Sequence, residues 1–166
     1  MVERVKKKYQ IQKFIQDNKP DIIEVKDISY IIEIYKSFWG RVHLFPNADF
    51  KKIIKQKLSY SYKIEKELVA YCLVEYIKND DIIEIDLLCV KKEYQGYHLG
   101  KSLLSFCINN CCNLNMKKFR IYVSINNLKA ISLYKKLGFT TKNLIKNYYY
   151  QEPKDKDAYC MILNMP

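Results

Sequence analysis

Between Val90 and Lys101 the chain reads VKKEYQGYHLGK, with Gly96 and Gly100 set between an apolar run and an amphipathic one. A loop of this kind that opens a helix is a place for a phosphate. The first amides of a helix lack partners within it, and the helix dipole adds partial positive charge at the same spot. Glycine lets the backbone approach an anion closely, and Lys101 adds a full charge. A purely structural strand–loop–helix turn would also account for the glycines. Upstream, Glu84 and Asp86 stand two residues apart in IIEIDLL, so a strand carries both on one face and Ile83, Ile85 and Leu87 on the other. Carboxylates on a central strand are costly unless they face a solvated cleft. Such a pair suits removal of a proton from a bound group by a general base. A solvated edge face is the alternative.

The elements that would hold these groups follow from periodicity. Residues 1–20 form a polar, basic arm, helical or frayed, and residues 21–166 a single domain. Residues 21–25 read as a short strand, and Asp27 as the N-cap of a helix whose apolar positions run from Ile28 to Phe38 and stop at Gly40. The Phe45-Pro46 pair marks a loop, because proline disfavours helix at the residue before it. A second helix is predicted over 49–58. Residues 63–64, 68–76 and 82–90 are β-branched and aromatic, with the turn Lys78-Asn79-Asp80-Asp81 between the last two, and predict an antiparallel meander. Then come a helix over 101–113, a strand over 119–125, a helix over 130–137 ended by Gly138, and a closing strand over 159–163. The sum is an α/β fold with a mixed sheet.

Composition narrows the class. With 166 residues, 49% of them hydrophobic and 14% aromatic, the chain can bury one core and is not a disordered polymer. Its net charge of +11 invites nucleic acid as a partner. The lysines are spread along the whole chain, however, which argues against one selected stripe and leaves an anionic cofactor or ribosomal contact as the better use of the charge. The six cysteines form no CxxC pair, and the two histidines, His43 and His98, are remote from each other, so no zinc site is expected. Buried free thiols suit a reducing cytosol. No apolar stretch approaches membrane-spanning length and the start of the chain lacks a signal-like run, so a cytoplasmic protein without membrane contact is expected.

Gln95, Gly96, Tyr97, His98, Leu99 and Gly100 resemble the signature of the GNAT superfamily of acetyltransferases: Gln or Arg, two residues, Gly, one residue, Gly or Ala. Gln95 and Gly100 stand at its ends, and His98 replaces the middle glycine. Downstream, NNLKAISLYKKLGF looks like the same family's Asn, two residues, Ala, three residues, Tyr, then Leu-Gly-Phe. The resemblance implies a central sheet of about seven strands with helices on both faces and acetyl-coenzyme A as cosubstrate, with no metal. It also implies cofactor contacts from Leu88, Cys89, Val90, the loop from Gln95 to Lys101, and Asn127. Tyr134 would protonate the departing thiolate, or it is simply the core-facing residue of its helix.

Glu84 stands where the superfamily's lysine-acetylating histone enzymes carry a catalytic Glu, and is the first choice of general base. Lys146-Asn147-Tyr148-Tyr149-Tyr150 and Asp157 onward resemble the N-terminal protein acetyltransferases, both the bacterial ribosomal-protein type and the NatE- and NatF-type subunits. Tyr148 and Tyr149 match the paired tyrosines that bind the incoming peptide backbone, and Phe45-Pro46 matches the loop that packs on the first substrate residue, often Met. Asp86 joins these as a substrate-side residue. Where the NatE-type enzymes pair a strand Tyr with a His, this chain has Glu84 and Tyr122, which assigns Tyr122 to orienting water or substrate, or to being a strand aromatic. The expected acceptor is a protein N-terminus, with auxiliary subunits or a ribosome as possible partners and no specific nucleic acid. A lysine or polyamine acetyltransferase, or a non-catalytic adaptor of the same fold, are the alternatives.

Overall fold

The computed structural model describes residues 2–39, 50–149 and 156–166. In chain order they form α1 (Val2–Asp17), β1 (Asp21–Ile22), α2 (Ile28–Trp39), α3 (Phe50–Lys55), β2 (Tyr60–Ile64), β3 (Glu67–Ile77), β4 (Ile82–Val90), α4 (Leu99–Asn113), β5 (Lys118–Ser124), α5 (Leu128–Lys136), β6 (Thr140–Ile145) and β7 (Ala158–Asn164). The strands make one seven-stranded sheet in the order β1-β2-β3-β4-β5-β7-β6. Every pairing is antiparallel except β4 with β5.

Two apolar cores lie against the sheet. One gathers Val69, Cys72, Val74, Ile83 and Ile85 with Ile11 of α1, Leu103, Leu104 and Cys107 of α4 and Ile131 and Tyr134 of α5. The other gathers Leu68, Tyr71, Leu73, Leu87 and Cys89 with Ile31, Ile34 and Tyr35 of α2 and Phe50, Ile53 and Ile54 of α3. Helices therefore cover both faces. β3 is apolar without interruption from Leu68 to Val74 because each of its faces meets one of these cores. Five of the six cysteines are buried and all six are free thiols.

The sequence pattern and the fold differ at identifiable places. The first strand has only two residues, because Glu24 already caps a 3₁₀ turn over Val25–Asp27. Asp27 closes that turn instead of capping α2 from outside: its Oδ2 accepts from Glu24 N at 3.0 Å, and its Oδ1 pairs with Lys63 at 2.9 Å. β6, read as no separate element from the pattern, is a strand exposed along most of its length, so no apolar alternation announces it. Leu87 was expected beside Ile83 and Ile85; it lies in the other core. Leu73 pairs with Leu87 and Val74 with Ile85, so Asp86 is an extra residue, a β-bulge that flips the alternation after it. The basic arm is a helix whose Ile11 is buried and whose Phe14 meets Tyr62 edge to face at 5.6 Å, while Lys7 lies over the Tyr94 ring.

Candidate active site

β4 and β5 are hydrogen-bonded only over Ile83–Phe119, Glu84–Arg120 and Ile85–Ile121. Beyond Ile85 no ladder between these two strands is found among the described residues, and from the bulge to Val90 the edge of β4 that faces β5 is open. Main-chain groups of Leu88, Cys89 and Val90 on that edge can serve a ligand. The Cys89 side chain cannot, since it is buried in the core. The strand leads into a 3₁₀ turn over Lys92–Tyr94, and the side-chain Nε2 of Gln95 folds back to donate to the Val90 carbonyl at 3.1 Å.

The loop then enters α4 through Gly96 at φ +82° and His98 at φ 70°, ψ 5°. His98 therefore holds the left-handed conformation usual for glycine, which His tolerates better than a branched residue does. No side chain caps α4, so the first-turn amides at Leu99, Gly100 and Lys101 remain for an anion. Leu99 is buried and Tyr97 packs on the core, which limits both to main-chain contacts; Lys101 is exposed. Gly100 is closely packed: a Cβ there would stand 3.3 Å from Val90 Cγ2, which would have to give way. α4 thus starts hard against the end of β4, beside its open edge.

Asn127 is the N-cap of α5, its side chain accepting from Ala130 N at 3.2 Å, which leaves its NH₂ for another partner. Tyr134, seven residues on and on the same face, is buried at 6% exposure and tilted against Phe139. Burial pushes its phenol well above the usual range, and Cys72, Tyr149 and Cys89 nearby add to the effect. A phenol that resists ionisation is a proton donor rather than a base.

At the opposite end of the opening the loop after β6 turns back over β5. Asp157 anchors it, bonding Lys146 Nζ at 2.6 Å and Asn147 N at 3.0 Å, and Tyr149 N donates to Lys156 O. Tyr148 stacks on Tyr122 with centroids 4.4 Å apart, Tyr149 meets Tyr148 edge-on at 4.8 Å, and the Tyr149 hydroxyl donates to the Tyr122 carbonyl. Burial raises the pKa of both loop tyrosines, with Glu84 the next cause at Tyr148 and Tyr35 of α2 the next at Tyr149.

Beside the tyrosines lie carboxylates. Glu75, Glu84 and Arg120 are lateral neighbours across β3, β4 and β5. Arg120 places both Nε and Nη2 at 2.7 Å from Glu84 Oε2 and reaches Asp80 as well; Lys52 of α3 pairs with Glu75. Among the described residues no cation is in contact with Asp86, and its Oδ2 is shut off from solvent without a hydrogen bond. Burial, then repulsion from Glu84 and Glu75, raises the Asp86 pKa to about 8 against the pull of Arg120 and Lys52. Glu84, Asp86, Tyr122 and Tyr149 are thereby neighbours of Tyr148, and Tyr134 is a neighbour of Tyr149, whereas Phe45 and Pro46 lie outside the described residues. The Arg120 partnership and the bulge escaped sequence reasoning. Arg120 lies two residues before Tyr122 on the same strand face, a spacing that could have signalled it.

Residues 28–139 match the family model described as acetyltransferase (GNAT) family. The chain is 25% identical over 139 residues to the putative [ribosomal protein bS18]-alanine N-acetyltransferase of Bacillus subtilis, covering 80% of this chain and 87% of the relative. Among solved structures, Arabidopsis thaliana Naa50 in complex with the bisubstrate analogue CoA-Ac-MVNAL superposes with a TM-score of 0.72 at 24% identity, covering 89% of this chain and 98% of the other. The ribosomal-protein-S18-alanine N-acetyltransferase of Escherichia coli does so with 0.70 at 23% identity, covering 88% and 92%. These two likenesses establish the fold.

Proposed function

The chain belongs to the acetyltransferase (GNAT) family, and from that premise we propose that it moves an acetyl group from acetyl-coenzyme A to the α-amine of a protein N-terminus. The observation that carries the acceptor class is the anchored loop whose Tyr148 and Tyr149 cover β5 at the mouth of the opening. A loop in that place leaves room for a chain that ends there and obstructs one that passes through. The names of the relatives point the same way.

Acetyl-coenzyme A supplies the activated acetyl group. The uncapped α4 start, with Gln95, Gly96, His98, Gly100 and Lys101 around it, would hold its pyrophosphate. Asn127 and the open edge from Leu88 to Val90 would hold the arm. Glu84, fixed by Arg120, acts as base on the acceptor side, directly or through water, with Tyr122 orienting it. Tyr134 gives its proton to the departing sulfur. Tyr148 and Tyr149 bind the peptide backbone, Phe45 and Pro46 pack on the first side chain, and Asp86 lies on the acceptor side. The protein works in the cytoplasm, where its net charge of +11 suits work beside ribosomes or with an auxiliary subunit.

A second reading, a lysine or polyamine acetyltransferase, is favoured by the carboxylates Glu75, Glu84 and Asp86, which would welcome a polycation. Acetylation of Met-starting peptides, the same peptides with blocked N-termini, and spermidine separates the two. Transfer to the free α-amine alone supports the proposal; transfer to spermidine with the peptides untouched removes it.

A further inference from the structure

An α-ammonium loses two protons on its way to an amide, one before it can attack the thioester and one after the C–N bond forms. The described part of the site holds three carboxylates on one sheet face, and two of them are already engaged: Glu75 with Lys52 and Glu84 with Arg120. The third belongs to the extra residue of the β4 bulge, inserted where the β4–β5 ladder ends and the cofactor edge begins. Its Oδ2 is buried and unpartnered, an arrangement that is costly unless a donor arrives.

We propose that Asp86 is a second catalytic carboxylate, which receives the first proton from the docking α-ammonium, while Glu84 removes the second after attack. This rests on the N-terminal acetylation reading. As the ammonium docks, Asp86 gives its own proton to solvent, and the proton on nitrogen then passes to the carboxylate oxygen. The freed lone pair then forms the C–N bond, the C–S bond breaks, and the sulfur takes a proton from Tyr134. The groups around Asp86 are Glu84 on its own strand, Glu75 on β3, Arg120 on β5, Lys52 on α3 and Tyr148 on the β6–β7 loop. The carboxylates outweigh the cations, and together with burial they bring Asp86 to about 8. A free α-amine titrates at about 7.7–8.0, so the two partners are matched for sharing one proton.

The test is calorimetric titration of the coenzyme A complex with a Met-starting peptide at pH 7, in two buffers of different ionisation enthalpy. Free enzyme and free peptide each carry a proton at this pH, and the complex holds one between them, so the wild type should release close to one proton per peptide. Asp86→Asn should release far less and lose about 10²-fold or more in kcat/KM. Its kcat/KM profile should lose the ionisation of the enzyme and keep only the inflection of the free peptide amine. Asp86→Glu should restore part of both, and Glu84→Gln, which removes a charge that raises the Asp86 pKa, should lose turnover and part of the proton release. Proton release and kcat/KM unchanged in Asp86→Asn would overturn the role of Asp86 while leaving N-terminal acetylation standing. A wild type that acetylates spermidine and no peptide would instead remove the reading beneath it.

Discussion

Tyr134 and Glu84 make separable demands on the reaction. A buried phenol whose pKa is raised can protonate a thiolate only as the neutral acid, so Tyr134→Phe should lower kcat by about 10²-fold at unchanged peptide KM, as expected when a general acid is lost. Steady-state kinetics on a Met-starting peptide would show it. Glu84→Gln should lower kcat by about 10²-fold or more and also release Arg120, so its peptide KM should change as well. Asp86 has a consequence for stability. Its folded pKa, about 8, is raised above its unfolded value, so between pH 4 and 8 the folded state binds more protons than the unfolded one. Stability from this group therefore falls as pH rises through that window. Asp86→Asn removes the penalty, and its melting temperature should exceed the wild type's by a margin that widens from pH 5 to pH 8. A constant or reversed margin in thermal melts would contradict the burial of an uncompensated carboxyl.

At the scale of elements, the start of α4, proposed above to hold the pyrophosphate, depends on a backbone conformation that its sequence does not favour. His98 sits at φ 70°, a region that costs an L-residue roughly 1–2 kcal/mol. His98→Gly should raise stability by about 0.5–1 kcal/mol, the strain relieved less the entropy of glycine, and should keep acetyl-coenzyme A affinity. His98→Val should lower both. Gly100 answers to packing, so Gly100→Leu should cost about 1–3 kcal/mol and push α4 away from β4. Denaturant melts and cofactor titrations of the three variants check these signs. This region was legible in the sequence because its glycines stand between a strand-period run and a helix-period run. The burial of Tyr134 was legible too, from its place beside Ala130, Ile131 and Leu133, whereas its role as acid came only from the family resemblance. Other features left no trace of that kind. The bulge at Asp86 keeps the buried–exposed alternation of β4 intact while moving Leu87 and Cys89 into the other core, so period alone reports an ordinary strand. β6 is exposed along its length, and its place at the sheet edge is set by pairing with β7 rather than by its own side chains. Asp27 was recognised as a capping residue but assigned to the wrong turn, because the 3₁₀ segment before α2 has no sequence period of its own.

Across the whole molecule, the two cores on opposite faces hold β4 and β5 parallel at one end and leave them unjoined at the other. The proposed cofactor half and acceptor half of the site meet at that fork. Because acetyl-coenzyme A binds only the folded chain, a concentration of 100 times Kd should stabilise it by about 2.7 kcal/mol, visible as a melting-point rise of several degrees. No described helix is long and apolar enough to cross a membrane, and no metal-binding cluster of side chains is found among the described residues. On the proposed reading, the loop that carries Tyr148 and Tyr149 decides which amines reach the fork. Mass spectrometry after incubation of acetyl-coenzyme A with a Met-starting peptide that also contains an internal lysine tests this most directly. One acetyl group on the α-amine, with the lysine unmodified and an N-terminally blocked peptide inert, is the predicted result. Acetylation of the lysine with the α-amine left free would contradict it.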